Sequence, residues 1–231
     1  PKTAAMVWRI PGPAWFWTLV EVLSIVGLLC FQGISLDSIG PEMQRRLCGR
    51  LGKPRMGFDL LAVWTVGSVS LLAIGLGSGM LTSFHAPEGL LKFFRELACF
   101  LFAPGLLEEV IFRALLLPDE TLPASLEQLG QPVTHSEEEQ KNKQCHWPRH
   151  WSGQEIAAVA IFLIYHLDLV HSGPMRVVFT DVRFLAMACV LGVACTDAMQ
   201  LSGSLWPGVV MHGTWVWCWL GFFGLPHAAE A

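Results

Sequence analysis

Three observations predict an all-α, polytopic membrane protein of about six transmembrane helices. The 231 residues are 53% hydrophobic and only 15% charged, with a mean hydropathy of +0.48, which is too apolar for an ordinary soluble domain. The apolar residues gather into successive runs, most of them long enough to cross a hydrocarbon core of about 30 Å as helices. One of these runs, residues 104–117, encloses Glu108, Glu109 and Arg113, and ionisable side chains in such a setting face a cavity, a partner or a reacting group.

The same composition excludes other classes. A formal charge of -4, with dispersed Lys and Arg, offers no basic stripe for nucleic acid. The seven cysteines are an odd number without a Cys-x-x-Cys pair. Cys30, Cys99, Cys189, Cys195 and Cys218 fall in apolar runs and read as small buried hydrophobes, while Cys48 and Cys145 lie in loops without a metal-ligand spacing. The chain opens on Pro1 rather than Met, from which a removed leader or transit segment is expected, with a plastid or another organelle as the compartment.

Taken in order, residues 1–13 form an N-terminal tail, and the first span covers residues 14–36. It is interrupted by Glu21 and approached by Trp8, Trp15 and Trp17, which read as interfacial anchors. Residues 37–57 carry Arg45, Arg46, Arg50, Lys53 and Arg55 and form the most basic loop. The second span, residues 58–81, contains Gly75, Gly77 and Gly79. These follow no strand and read as close-approach positions for a neighbouring helix, not as a nucleotide loop. The third span, residues 89–117, holds Pro104, which lacks an N–H and crowds the preceding turn, so a break or kink is expected there with a fresh helical run beginning at it.

Residues 118–153 are polar and proline-punctuated and read as an extramembrane loop, whose His135, His146 and His150 lack the companion ligands of a zinc site. Residues 154–231 carry the fourth to sixth spans, at 154–170, 184–200 and 204–225. Five Lys/Arg follow span one and three follow span three, against two in the N-terminal tail, two (Lys92 and Arg95) at the start of span three and two after span four. The bias puts residues 37–57 and 118–153 on the cytoplasm-like face and both termini opposite.

At helical spacing Glu109 and Arg113 are four apart with the acid N-terminal, the favourable order for an ion pair. Glu108 is then the remaining carboxylate. Two readings follow: a structural clamp with Glu108 as general base, or a charged stripe buried for packing specificity. His166 in span four and His212 in span six add two imidazoles. At 1.5 Å per residue, Glu108 lies roughly 14 Å from Leu117, His166 roughly 15 Å from Ile156 and His212 roughly 10 Å from Leu205. All three ends belong to one face, so the carboxylate and both imidazoles share a layer. Such a set can activate water directly or hold a divalent metal such as zinc through Glu108, His166 and His212.

Glu108, Glu109 and Arg113 in EEVIFR, Phe162 and His166 in FLIYH, and Leu205, Trp206, Pro207 and His212 in LWPGVVMH together resemble, in order and spacing, the three motifs of the CPBP family. These are the CAAX-protease and bacteriocin-processing (Abi) intramembrane proteases. The resemblance covers about half the chain, residues 104–217. It implies an all-helical membrane fold that cleaves peptide bonds within or next to the bilayer, with the motif-one Glu and motif-two His activating water. Its expected partners are membrane lipids and a peptide or prenylated-protein substrate. The chain departs from the family at Val216, four residues after His212, where an Asn or Asp is usual.

Two functions are therefore carried forward. One is an intramembrane endopeptidase using Glu108, Glu109, Arg113, His166 and His212. The other is a non-catalytic scaffold or assembly subunit of a larger membrane complex, using the same cavity for a lipid, prenyl or pigment group. A proton-coupled transporter is disfavoured by the lack of inverted repeats.

Overall fold

The computed structural model describes residues 44, 46–47, 56–81, 84, 89–117, 150–168 and 178–223. The expected tail and first span, and most of the polar loop with His135 and His146, lie outside these residues. Among those described, all regular elements are helical: α1 (Met56–Gly77), α2 (Leu90–Phe100), α3 (Leu107–Glu109), α4 (Gly153–Asp168), α5 (Val182–Ser202) and α6 (Trp206–Cys218). Stretches of π-helix cover Leu101–Leu106, Val110–Leu115 and Trp219–Phe223. These occupy the positions of the expected second to sixth spans. Two of them, Gly57–Gly77 and Val182–Ser202, are long and apolar enough to cross a membrane, while Gly153–Leu167 is apolar but shorter.

The helix ends follow local chemistry. Before α4, the Ser152 N–H donates to Glu155 Oε2 (2.7 Å) and the Glu155 N–H donates to Ser152 Oγ (3.2 Å), a reciprocal capping box. Asp181 caps α5 by accepting from the Arg183 N–H at 2.9 Å, and Gly203, at φ 66°, closes it in the left-handed conformation that glycine adopts without a Cβ penalty. Pro207 in the first turn of α6 lacks a donor that would have no intrahelical acceptor there.

At Pro104 the chain does not start afresh. Phe100, Leu101, Leu106 and Leu107 all keep right-handed helical dihedrals, and the run from Leu90 to Leu115 stays helical by widening to π-helix around the proline. A proline ring crowds the carbonyl four residues back, here Phe100, and adding a residue to the turn relieves that contact without ending the helix.

The helix α5 is central, packing on α1, α4 and α6, whereas α1 is mostly exposed along its apolar length. Helix α6 crosses the first π stretch closely at Gly213. A Cβ on Gly213 would lie 2.8 Å from Leu101 Cα and 2.9 Å from the Phe100 carbonyl oxygen. Gly213→Ala is expected to force these helices apart and lower stability by about 1–3 kcal/mol, the usual cost of overpacking. Gly77→Ala, where nothing lies within 4 Å, is the neutral control. Thermal denaturation of both variants in detergent checks the difference.

The described ends of the bundle sort into two sets. At one, Arg46 donates to the carbonyls of Arg113 (Nη1, 2.6 Å) and Leu117 (Nη2, 2.9 Å). There too the Leu205 N–H donates to the Arg46 carbonyl at 3.0 Å, and Trp206 Nε1 donates to the Leu47 carbonyl at 3.0 Å. At the other, Arg183 donates to the Ser78 carbonyl (3.0 Å) and Phe84 stacks on Phe222 at 5.4 Å. Arg46 and Leu47, the described part of the basic segment, thus lie beside Leu117, Leu205 and Trp206.

Candidate active site

Glu108 and Glu109, adjacent in the three-residue α3, point to different neighbours and are both buried. Glu109, with no exposed surface, sits 3.2 Å from Arg113 Nη1 and accepts a 2.9 Å hydrogen bond from His212 Nδ1. The Arg113 contact is ionic without being a directed hydrogen bond, since Nη1 lacks hydrogen-bond geometry. Arg113 is held on two further sides: Nη2 donates to the Gly192 carbonyl at 3.2 Å, and the guanidinium lies 4.4 Å from the centre of the Phe162 ring. Two glycines make room for this assembly. A Cβ on Gly208 would come within 2.8 Å of Glu109 Oε2, and one on Gly192 within 3.3 Å of Arg113 Nη2.

Glu108 faces the two imidazoles. Its Oε2 lies 3.6 Å from His212 Nε2 and 3.9 Å from His166 Nε2, and it has no hydrogen-bond partner although buried. The other nitrogen of each ring is committed. His166 Nδ1 donates to the Phe162 carbonyl at 2.8 Å, an oxygen that can only accept, and His212 Nδ1 donates to Glu109. A neutral imidazole with Nδ1 protonated presents a lone pair at Nε2. Two such lone pairs and a carboxylate oxygen therefore converge, at separations beyond the roughly 2.7–3.2 Å of a direct hydrogen bond. This set of acceptors requires a donor between them, as a water molecule or a proton provides.

The three groups lie in the wall of a cavity of about 110 Å3, otherwise lined mainly by apolar side chains that include Phe184, Trp215 and Val216. Val216 borders the space that His212 enters, as expected for a residue one turn further along the same helical face. Among the described residues no group of three or more His, Cys, Asp or Glu is arranged to hold a metal ion.

All five sequence-selected residues thus meet: Glu108, Glu109, Arg113, His166 and His212. His150, one of the loop histidines, is exposed and apart from this cavity. Sequence reasoning missed Arg46, which is 3% exposed and anchors the end of the motif-one helix, because one arginine among five basic residues of a loop reads as solvated.

The type II CAAX prenyl endopeptidase Rce1-like family matches residues 90–218, more than half of the chain. The chain belongs to this family. Glu108, Glu109, His166 and His212 all fall inside the region matched by this Rce1-like family of the CPBP group. No curated protein and no solved structure matches the chain.

Proposed function

We propose that the protein is an intramembrane endopeptidase that hydrolyses a peptide bond of a membrane-borne or prenylated substrate. The observation that carries this reading is the convergence of Glu108 Oε2 with Nε2 of His166 and His212 on one cavity wall. Water bound among these acceptors is polarised for attack. As its oxygen bonds to the scissile carbonyl carbon, Glu108 accepts the proton, with the His166 lone pair orienting the second water hydrogen. His212, backed by the Glu109 carboxylate and through it by Arg113, takes a proton from solvent at Nε2 as substrate binds, donates as imidazolium to the developing oxyanion, and releases that proton to solvent when the products leave. Collapse of the tetrahedral species breaks the C–N bond, and Glu108 returns the proton to the leaving nitrogen. A low-dielectric apolar wall strengthens each of these interactions.

The half-buried Val216 favours a second reading, a non-catalytic scaffold that uses the cavity to hold an apolar group. Valine supplies no hydrogen-bond donor where the family usually has one. The two readings are separated by Val216→Asn. A restored oxyanion donor contributes typically about 2.7–4 kcal/mol, so turnover of prenylated or transmembrane peptides is expected to rise by up to roughly 10²- to 10³-fold, and Glu108→Gln in the same background should erase the gain. A folded Val216→Asn protein that cleaves nothing, alongside an equally silent parent and unchanged peptide levels in cells lacking the protein, supports the scaffold.

A further inference from the structure

Beside its carboxylate and imidazoles, the cavity wall includes the indoles of Trp215 and Trp219. An indole Nε1–H donates and cannot accept, and when buried it ordinarily finds a partner. Trp215 Nε1 donates to Ser68 Oγ on α1 at 3.1 Å, and Trp206 Nε1, at the start of α6, donates to the Leu47 carbonyl at 3.0 Å. Trp219 differs. It is 8% exposed, and its Nε1 is buried with no hydrogen-bond partner among the described residues. A donor left in that condition costs free energy that an acceptor brought by a ligand returns.

Packing sets the place of this indole. Trp219 keeps right-handed helical dihedrals and so continues the helix that carries His212, seven residues and about two turns further on and on the same face. Its ring lies 5.3 Å from that of Phe184, whose ring is in turn 5.5 Å from that of His166. The separation from His212 is roughly 10 Å along the axis, and helical side chains lean toward the N-terminus, which brings the indole back over the turn of Val216. That is too far from His212 for a shared oxyanion. An extended peptide, rising about 3.3 Å per residue, covers it in two or three residues.

We propose that Trp219 Nε1–H donates to a backbone carbonyl of the substrate two or three residues from the scissile bond, and so fixes the register of the peptide over Glu108. The surroundings select the acceptor. Glu108 in the same wall disfavours an anion, and a hydrocarbon chain against Leu71, Met187, Leu191 and Leu220 would leave the donor unpaired, whereas a neutral amide carbonyl pairs with it. A site that hydrogen-bonds a substrate group discriminates against an analogue lacking it, because its own polar group is then stranded. The position of the scissile bond rests on the catalytic reading. Trp219 acts as a specificity residue, apart from the oxyanion contact of His212 and from the donor that Val216 does not supply.

The test uses the full-length protein in detergent and, as probe, a farnesylated peptide with three residues after its modified cysteine. A companion set replaces the amides on either side of the scissile bond, one at a time, by a trans-alkene that keeps the shape of the chain and removes the carbonyl. Trp219→Phe keeps a ring against Phe184 without the N–H, and 3-benzothienylalanine in place of Trp219, with sulfur where the N–H was, serves should Trp219→Phe fold poorly. Turnover is read as kcat/KM, and equilibrium binding is read in the Glu108→Gln background, where the peptide stays whole. Loss of the N–H is expected to lower both kcat/KM and affinity for the parent peptide about tenfold. It should cost nothing further with the one alkene peptide that lacks the paired carbonyl, two or three residues from the scissile bond. Losses that add with every alkene peptide overturn the proposal, as do unchanged turnover and affinity or a probe that the parent protein does not bind. Absent cleavage with Trp219-dependent binding intact would sink the catalytic reading alone.

Discussion

Glu108→Gln is expected to abolish peptidase activity while leaving the fold unchanged. The substitution keeps the volume of the side chain but removes the base, and general acid–base groups contribute typically about 10²- to 10⁴-fold in rate. Folding should not suffer, because Glu108 Oε2 makes no hydrogen bond within the protein and its nearest polar neighbours are 3.6 and 3.9 Å away. The amide nitrogen of glutamine can instead donate toward the Nε2 lone pairs of His166 and His212. Glu108→Asp, which keeps a carboxylate but retracts it, should retain a part of the rate. Cleavage by the purified variants, read beside their thermal denaturation in detergent, gives both quantities. Full activity in a folded Glu108→Gln protein would sink the assignment of Glu108 as base.

The second large effect is on stability. Glu109→Gln leaves the Arg113 guanidinium, 1% exposed, without its counter-charge in the middle of the bundle. Breaking a buried ion pair on one side costs about 3–5 kcal/mol, whereas replacing both partners by apolar groups of similar size is often neutral. Glu109→Gln should therefore express poorly or melt early, and Glu109→Gln combined with Arg113→Met should recover most of the loss. The double variant is expected to fold yet turn over slowly, since His212 Nδ1 has lost the carboxylate that accepts from it. Denaturation midpoints of the single and double variants decide this. A Glu109→Gln protein that is well folded and inactive, beside an active Glu108→Gln, reverses the two roles.

Hydropathy and helical spacing were enough to place the second to sixth helices within a few residues of where they lie, because burial in an apolar medium demands long uninterrupted runs. The i, i+4 spacing of Glu109 and Arg113 made their pairing readable from the chain, as did the shared depth of Glu108, His166 and His212, since both depend only on helical rise and direction. The resemblance of three ordered motifs named the family.

What tertiary structure decided is how each helix is rotated and what it meets. The bond from His212 to Glu109 joins positions 103 apart, and the contacts of Arg46 with Arg113 and Leu117 span 67 and 71 positions. No local pattern encodes such pairings. Pro104 widens its helix where a break was expected, because the neighbouring α6 packs against Gly105 and holds the turn in place. The ring of Phe162 becomes a platform for Arg113 only once α4 lies against the second π stretch. The sequence determined that a carboxylate and two imidazoles would share one layer of a membrane bundle. Only the packing of side chains around that layer decided that Glu109 is held by Arg113 and His212 while Glu108 is left facing the cavity beside His166.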